Sequence, residues 1–449
     1  MPIHTQSLTP SNSVSTAVER FQDEVISWIR ACMDRYADAP ATDVHDQGTY
    51  TTAWEPIVRK TGDAEILTFL KTARDRMRDH FVSTGLWRHG YWTLQEAHHG
   101  TEHYELFLGM LLRLDPEDAE TRRQLIDAAE HMGNWSAAAP PWFDYGTNRF
   151  CSFFFGTDAV QTNPGDEFNR TDHLRCVNVC LLAYDASADR RYLDFAVHYA
   201  GAWADAIVNA PRLPVSLTEY SVLYHMADAP EAVYRKFVGE ASPPLTDIDR
   251  AENFLASDGV NTFLRLWHET CDTRFRRAAE RLLDPLVTQI TDPDAGVVAA
   301  AVRDYRRWTG DSRYDAAVQK VLEDDPIRPV QTLSLDTDAR PQGRPIGVGK
   351  RSDMLHWLED GAPRRHHPVT LAVAAEIGGS DDVAVHALDL GRAAFVLARE
   401  HLPDGRDHGC AARTVSAVAR GHGRENHAGV VTAILGPMTT NQRITRQQT

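Results

Sequence analysis

Three histidines and three glutamates lie within thirteen residues of the chain, in the segment QEAHHGTEHYELF at 95–107. Imidazole and carboxylate groups can exchange protons near neutral pH, hold a polar ligand, or bind a metal ion. Because the segment runs into the apolar stretch LFLGMLLRL, it is predicted to open a helix. At about 100° per residue, one stripe of this helix would carry Trp92, Glu96, His99, His103, Phe107 and Met110. This stripe changes from polar to apolar, as expected where a helix leaves a wet cavity and enters a core.

Three interpretations of this segment compete. His99, Glu102 and His103 form the order HxxEH, which can bind zinc in metallopeptidases. Those enzymes mix strands and helices, whereas this chain is predicted to be nearly all helical, so neither a metal nor another cofactor is expected. A solvated helix end is the plain alternative. We favour an acid–base site with Glu102 and His103 as catalytic groups, and with a sugar-binding surface formed by Trp87, His89, Trp92, Glu96 and His99.

A second group of candidates lies in the aromatic loop 133–158. Polar residues within such an apolar loop suggest a substrate wall, although a plug packed over the end of the domain would look similar. Asp144 is the candidate catalytic carboxylate of this loop. Its candidate substrate-binding residues are Trp142, Tyr145 and Asn148.

Two predicted helix entries carry further candidates. Asp172 and His173 are placed among the catalytic residues and Arg170 among the substrate-binding residues, although Asp172 could simply cap its helix. Asp258 and Asn261 open a later helix and are predicted to bind substrate. If the helices form a ring, these entries converge on one cavity.

The glycine-punctuated segment 403–431 contributes the last group. In a closed ring it would return beside the beginning of the chain, close to the histidines at 89–103. A charged linker is the alternative. The predicted substrate-binding residues of this segment are His408, His422, Arg424 and His427.

A repeated pattern along the chain predicts the elements that position these groups. Each copy has an amphipathic run, a small-residue turn that ends in Asp, and a second amphipathic run, which is typical of a helical hairpin. The turn aspartates are expected to cap the second helix. The clear copies lie at 59–73, 184–198, 268–282 and 307–321, with Asp63, Asp189, Asp272 and Asp311 in their turns, and weaker copies lie at 113–129 and 376–390.

Six hairpins separated by long loops predict an all-α fold, an (α/α)6 barrel, with an open solenoid as the rival. The long loops fall at about 133–170, 211–258 and 323–368. Within them, 330–336 is the segment that could be extended, and 356–367 is expected to be a loop. We expect a flexible N-terminal segment at 1–14, a single barrel domain at 15–437 and a polar tail at 438–449.

The TGDxRY-type turns resemble those of the six-hairpin glycosidase-like superfamily, and the resemblance covers most of residues 55–400. It assigns no individual family. It implies a site at the ring face that carries the long loops, at the N-terminal ends of the inner helices. Members of the superfamily include glycoside hydrolases, polysaccharide lyases and sugar epimerases, and fold alone does not choose among them.

Composition limits the partners. The net charge of -16 over 449 residues argues against nucleic acid or an anionic membrane as the main partner. We therefore expect a small-molecule or oligosaccharide substrate and a possible homo-oligomer. The six cysteines show no CxxC spacing, and Cys176 and Cys180 are interpreted as core residues. Without a visible secretory signal or an apolar run long enough to span a bilayer, a cytoplasmic location is expected.

The candidate groups allow more than one reaction on a glycoside or a uronate-type sugar. Glycoside hydrolysis needs two carboxylates, which Glu102, Asp144 and Asp172 could supply. Elimination or epimerisation could use His103 or His173 as the base, with Arg170 holding a substrate carboxylate. We favour hydrolysis slightly over lyase or epimerase chemistry. An isoprenoid cyclase or isomerase is a rival from another class, although no DxDD or DDxxD string is present, and a non-catalytic scaffold is another.

Overall fold

The computed structural model describes residues 11–42, 47–163, 166–217, 246–292, 295–324, 333–336, 356–359, 361–363, 366–402, 415–420 and 429–439. Its helices are α1 Asn12–Tyr36, α2 Glu55–Thr61, α3 Ala64–Ser83, α4 Ala97–Glu102, α5 Gly109–Leu114, α6 Ala119–Met132, α7 His173–Ser187, α8 Arg190–Asn209, α9 Asp247–Ala256, α10 Gly259–Thr270, α11 Thr273–Val287, α12 Gly296–Thr309, α13 Asp315–Gln319, α14 Val321–Asp324, α15 Pro368–Gly378, α16 Asp381–His401, α17 Val415–Arg420 and α18 Gly436–Thr439. A 3-10 segment at Thr49–Trp54 and two π-helical segments at His103–Leu108 and Val431–Leu435 complete the helical elements.

Four of the six predicted hairpins are helix pairs in mutual contact, namely α5 with α6, α7 with α8, α10 with α11, and α15 with α16. At the other two predicted places, α2 and α3, and α12 and α13, are consecutive helices joined by a short turn. Four of the six turns begin with a residue in the left-handed conformation and continue into a side-chain cap, as at Gly62 and Asp63. Asp63, Asp189 and Asp272 cap the second helix of their hairpins as predicted. A small residue that reverses the chain and an oxygen that accepts the first free N–H explain why this local pattern recurs.

Asp311 departs from this rule. Its carboxylate accepts a hydrogen bond from the Arg313 N–H at 3.0 Å, but α13 begins only at Asp315 and its capping residue is Tyr314. The prediction that Asp311 caps the second helix is therefore wrong. Instead, Asp311 binds Arg276 of the preceding outer helix at 2.6 Å and also accepts from the Tyr305 hydroxyl.

Ion pairs connect the turns of three hairpins to the preceding outer helix. Arg30 of α1 contacts Asp63, Arg74 of α3 contacts Asp118, and Arg276 of α11 contacts Asp311. The Arg74 side chain is only 4% exposed, whereas that of Arg30 is 38% exposed. The same contact is thus a buried pair at one turn and a solvated pair at another.

The inner elements form a closed ring, so the (α/α)6 barrel is observed and the open solenoid is not. The ring runs through the 3-10 segment with α2, the segment 97–114, α7, α10, α12 and α15. It closes where Val431–Leu435 packs against both α15 and the 3-10 segment. In the outer layer α1 packs on α16, with Trp28 and Phe395 meeting edge to face at 5.5 Å between ring centroids. The predicted return of the C-terminal segment to the first hairpin is confirmed for its described residues.

Short strands occupy the loops of the ring face. They are β1 Trp87–Arg88, β2 Tyr91–Trp92, β3 Gln95–Glu96, β4 Phe143–Asp144, β5 Arg149–Phe150, β6 Phe154–Phe155, β7 Asn169–Arg170, β8 Ser216–Leu217, β9 Leu333–Asp336, β10 His356–Glu359 and β11 Ala362–Pro363. All pairs are antiparallel. The expected extended piece at 330–336 contains β9, whereas 356–367, expected to be a loop, contributes β10 and β11 because they pair with β9 and with each other.

Apolar side chains fill the ring. Cys176 and Cys180 are fully buried, and burial raises the pKa of both thiols, which agrees with the interpretation as core residues. Helix α1 already begins at Asn12, within the segment 1–14 that was expected to be flexible. None of the helices in the described part of the chain combines the length and the apolarity that crossing a bilayer requires.

Replacing Asp118 is predicted to cost more stability than replacing Asp63. Both residues cap a helix, and loss of a cap costs about 1 kcal/mol. Asp118→Ala also leaves the buried Arg74 without this carboxylate, so its total loss is expected to be about 3 kcal/mol. Asp63→Ala exposes Arg30 to water and should lose about 1 kcal/mol.

Urea unfolding at neutral pH measures both losses. Asp118→Asn serves as the matched variant, because the amide oxygen keeps the cap while the charge is removed, and it should lie between Asp118→Ala and the unmodified chain. Equal losses for Asp118→Ala and Asp63→Ala would show that burial of Arg74 does not govern the energy of the turn.

Candidate active site

The site begins at the N-terminal end of α4, where β3 ends. Strand β3 pairs with β6, and this pairing fixes the point at which the helix starts. Position 100, inside this short helix, is a glycine because a Cβ atom there would lie only 2.7 Å from the Tyr91 hydroxyl oxygen. The Trp92 indole N–H donates to the Gly100 carbonyl at 3.1 Å. Aromatic side chains of the β1–β2 hairpin therefore hold this turn of helix in place.

His98 lies between two carboxylates. Its Nδ1 is 2.9 Å from Oδ1 of Asp172, and its Nε2 is 3.1 Å from Oε1 of Glu102. The side chains of His98 and Glu102 are 0% exposed and that of Asp172 is 2% exposed. A neutral imidazole has one N–H, so contacts with two carboxylates require a second proton, carried either by the ring or by Glu102. We call His98, Glu102 and Asp172 the histidine triad.

Asp172 is the fixed negative charge of the triad. Burial alone would raise its pKa, but the hydrogen bond from His98 and the positive charges of His98, Arg175 and Arg170 outweigh it, so the pKa lies below the ordinary value. The second oxygen, Oδ2, is buried and has no hydrogen-bond partner among the described residues. Asp172 can therefore orient His98 through one oxygen and offer the other to a ligand.

His99 lies beside the triad and carries its own carboxylate. Its Nδ1 is 2.5 Å from Oε1 of Glu96, and its side chain is 23% exposed. One nitrogen from each of His98 and His99 and one oxygen of Glu102 lie within 4.8 Å of one another. Two imidazoles and a carboxylate at this spacing are a ligand set that could hold a metal ion.

A polar column continues from the triad into the ring. Arg175, one turn along α7 from Asp172, contacts Glu105 at 3.0 Å. Asn178 donates to Glu105 at 2.6 Å and accepts from the Thr262 hydroxyl of α10. Burial raises the pKa of Glu105, and Arg175 and Asn178 oppose this rise. The interior of the ring is thus polar along one line that connects three successive inner elements, the segment 97–114, α7 and α10.

His103 does not join this line. Its ring lies 5.1 to 6.0 Å from the ring centroids of four aromatic residues, Phe81, Trp87, Tyr104 and Phe107. The π-helical segment begins at His103 and has more residues per turn than an α-helix, so positions beyond 102 rotate away from the predicted stripe. The predicted common stripe of His99 and His103 is therefore wrong, and HxxEH does not converge on one ion.

His173 follows Asp172 directly but is held by backbone groups. Its Nδ1 accepts from the Arg170 N–H at 3.0 Å, and its Nε2 is 3.0 Å from the Ser152 carbonyl. Burial lowers its pKa to about 4, with the Ser152 carbonyl opposing. Both nitrogens fix the loop that precedes α7, which leaves His173 a supporting position next to the triad.

The candidates of the aromatic loop lie away from the triad. Asp144 is at the exposed end of the β4–β5 hairpin, where it accepts hydrogen bonds from Gly146 and Thr147, and these lower its pKa. Tyr145 is 52% exposed. Asn148 donates to the His198 carbonyl of α8. Trp142 is fully buried. The β4–β5 hairpin packs on the outer helix α8, so Asp144 and Tyr145 do not form a wall of the triad. Trp142 packs instead against Tyr91 and Phe155.

The remaining described candidates take three positions. Arg170 is buried next to the triad, with its guanidinium 4.2 Å from the centre of the Phe153 ring. Asp258 and Asn261 bond to each other at 2.9 Å, and Asn261 also reaches Asp304 of α12. Trp87 packs against His103 in the aromatic cage, while His89 is exposed and its carbonyl accepts from His131.

Four predicted residues lie outside the described residues: His408, His422, Arg424 and His427. Conversely, His98 was not among the residues predicted from the sequence. The signal was present, since His98 and Glu102 are four residues apart and thus one helical turn apart. A pocket elsewhere in the described part, between α1 and α3, is lined by Tyr36, Gln47, Tyr50, Arg76, Met77 and Phe107 among others and contains no member of the triad.

Comparison with known proteins identifies no family. No protein-family model and no curated protein matches the chain. A solved structure of D-mannose isomerase matches with 10% sequence identity and a TM-score of 0.47, covering 70% of this chain and 87% of that chain. A likeness this distant does not identify the reaction.

Burial of His103 predicts that this residue weakens the protein in acid. Burial lowers its pKa to about 3, against about 6.5 in the unfolded chain, so the unfolded state binds the extra proton as the pH falls below 6.5. Between pH 7 and pH 5 this one residue should reduce the free energy of unfolding by about 2 kcal/mol. His103→Phe fills the aromatic cage and removes the titration.

Urea unfolding at pH 7 and pH 5 tests this. The His103→Phe variant should lose about 2 kcal/mol less than the unmodified chain over this interval. His401→Gln, a change at an exposed histidine of α16, is the control and should follow the unmodified chain. Identical pH dependence in His103→Phe and the unmodified chain would mean that His103 is solvated in the folded protein.

Proposed function

We propose that the protein is a sugar-modifying enzyme that moves a proton at a carbon next to a carbonyl group, as an aldose–ketose isomerase or an epimerase does. The observation that carries the proposal is the histidine triad, with Asp172 and Glu102 on the two nitrogens of the buried His98. General acid–base catalysis by a positioned imidazole contributes about 10²- to 10⁴-fold to a rate.

The proposed roles follow from the hydrogen bonds. Asp172 accepts from Nδ1–H of His98 and holds the imidazole in the tautomer whose lone pair is on Nε2. The proton between Nε2 and Glu102 is then the mobile one. In one direction His98 or Glu102 removes the proton from the carbon, and this proton can exchange with solvent before a proton is delivered to the neighbouring carbon. The hydroxyl proton of the first carbon passes to the former carbonyl oxygen. Because the triad lies on one side of the ligand, epimerisation requires the intermediate to turn its other face to the same groups. The substrate carbonyl oxygen gains the negative charge, and Arg170 and Arg175, whose positive charges act on Asp172, are the cations that could stabilise it.

Proton transfer fits this arrangement better than glycoside hydrolysis does. Hydrolysis needs two independent carboxylates on opposite sides of the glycosidic bond. Glu102 and Asp172 instead share one imidazole and lie on the same side of any ligand. The other predicted carboxylate, Asp144, has an exposed side chain at a hairpin end.

A polyhydroxylated substrate is supported by the surroundings of the triad. Asp172 Oδ2 is a buried acceptor without a hydrogen-bond partner among the described residues, Arg170 stacks on the Phe153 ring, and the indole N–H of Trp92 donates to the Gly100 carbonyl. Aromatic faces beside charged hydrogen-bonding groups are how proteins hold sugar rings. The position at the N-terminal end of an inner helix also agrees with the superfamily resemblance of the turns.

Deuterium exchange tests the proposal without knowledge of the sugar. The full chain is incubated in D2O with a panel of reducing aldoses, ketoses and uronates, and proton NMR follows the C2–H signal and the appearance of a second sugar. Loss of the C2–H signal is expected for at least one sugar. His98→Gln and Asp172→Asn should lower the exchange rate about 100-fold or more.

Two further variants separate the possibilities. Glu269→Gln, at an exposed position of α10, is the matched control and should exchange at the unmodified rate. Asp144→Asn distinguishes proton transfer from hydrolysis: under our proposal exchange persists, whereas turnover of aryl glycosides that depends on Asp144 would favour hydrolysis. Folding is checked by circular dichroism. An exchange rate unaffected in His98→Gln would contradict the proposal.

A further inference from the structure

We infer that His98, His99 and Glu102 form a binding site for one divalent transition-metal ion, with Zn²⁺ as the ion that fits best. The inference uses the same side chains as the proposed function but does not depend on the proposed reaction. Its evidence is the placement of three ligand groups and of the carboxylates behind them.

The distances suit a metal. One nitrogen of each histidine and one oxygen of Glu102 lie within 4.8 Å of one another. Zinc bonds of about 2.0–2.2 Å imply ligand atoms about 3.4 Å apart in a tetrahedron. His98 Nε2 and Glu102 Oε1, at 3.1 Å, already match this edge. His99 is the partly exposed member, so a rotation of its side chain can bring it into range.

The second contacts of the histidines are those of metal ligands. Metal-binding imidazoles usually donate their other ring N–H to a carboxylate, which fixes the tautomer and makes the ligand nitrogen more basic. Both histidines of the site have a carboxylate at Nδ1, Asp172 at 2.9 Å for His98 and Glu96 at 2.5 Å for His99. Both imidazole rings would therefore coordinate the ion through Nε2. Two such pairs on adjacent residues are the strongest sign of a metal site in the described part of the chain.

The charges around the site also favour a cation. Glu96 and His99 lie at the partly exposed edge of the site, and the carboxylates of Glu102 and Asp172 are buried against His98. Carboxylates in such surroundings are costly unless a cation balances them. An ion between His98 and Glu102 would take the place of the proton in the triad and release it, so metal affinity should fall as the pH is lowered.

The ligand set identifies the class of ion. Two imidazoles and one carboxylate, with a position left for water or substrate, are the ligands of many catalytic zinc sites, and Fe²⁺ can use the same set. This set differs from HxxEH, because His98 replaces His103, which faces the aromatic cage.

Zinc binding to the full chain is the test. The purified protein is treated with a chelator, dialysed, and titrated with Zn²⁺ alone, and bound metal is measured by elemental analysis. One ion per chain is expected. X-ray absorption at the zinc edge should show two imidazole ligands, and Co²⁺ in place of Zn²⁺ should give visible absorption bands. These measurements need no variant, so they stand even if a substitution prevents folding.

Variants locate the site. His98→Gln, His99→Gln and Glu102→Gln should each lower the affinity at least 100-fold, and Asp172→Asn about 10- to 100-fold. His103→Phe and the exposed-surface control His401→Gln should bind as the unmodified chain does. Loss of binding in His103→Phe alone would restore the HxxEH set and overturn our inference. So would substoichiometric zinc, or binding that Glu102→Gln leaves unchanged.

The two proposals can fail separately. Deuterium exchange by the metal-free protein, with no uptake of zinc, would overturn the metal site and leave the proton-transfer function standing. One zinc per chain without exchange on any sugar would support the site and count against the proposed reaction. Exchange that occurs only after zinc is restored would support the metal site and count against His98 and Glu102 as the groups that carry the proton.

Discussion

Two hydrogen bonds to one buried imidazole determine how the ring face of this barrel is organised. His98 belongs to the first helical turn after β3, and Asp172 directly precedes α7, yet they are 2.9 Å apart in a region closed to water. A buried carboxylate is tolerated only when it is paired and hydrogen-bonded. The contact therefore fixes where α4 and α7 begin relative to each other. The strand pairs of the loops, above all β3 with β6, serve to hold these two starting points.

The polar column below the triad obeys the same rule. Glu105 and Arg175 are paired at 3.0 Å, and Asn178 and Thr262 carry the hydrogen bonds onward to α10. Buried ion pairs contribute little net stability but are costly to break, because each partner would leave an unpaired charge in the core. The column thus selects one relative position of three inner elements. The apolar ring supplies the stability, and the column supplies the alignment that a site at its end requires.

The fold could be predicted from the sequence because its signals are local. An Asp after a small turn residue caps a helix by contacts within four positions, as at Asp63 and Asp272. Ala188 and Cys271 adopt the left-handed conformation with φ of 59°, although neither is a glycine. Their turns could still be predicted from the sequence because a capping Asp follows each of them. Asp311 deviates because the helix after it begins only at Asp315, although its carboxylate accepts from the Arg313 N–H as the other turn aspartates accept from theirs.

The site was predicted in part, and the reason is helical phase. Glu102, Asp172, His99 and Arg170 were selected and lie in or beside the triad, whereas His98 was passed over for His103. The stripe assumed an unbroken α-helix from Trp92 onward. Trp92 and Glu96 are in strands, and a π-helical segment begins at His103. The side chains before Ala97 and after Glu102 therefore do not point in the directions that a continuous α-helix would give them. Strand pairing with residues 154–155 and an irregular turn depend on distant packing, which one segment of sequence does not encode.

The two carboxylates of the triad contact different nitrogens of His98, Asp172 at Nδ1 and Glu102 at Nε2. This difference links the proposed chemistry to the proposed ion. Asp172 has a lowered pKa and keeps its charge whether the far side of His98 faces a proton or a metal. Glu102 faces Nε2 of His98 at 3.1 Å, so its electrostatic environment depends on whether a proton or a metal ion lies between these two atoms. A proton and a divalent ion are therefore competitors for one position, and the low-dielectric surroundings strengthen the attraction for both. Since both states need the same tautomer of His98, Asp172 would be required for either, whereas His99 matters only when an ion is bound.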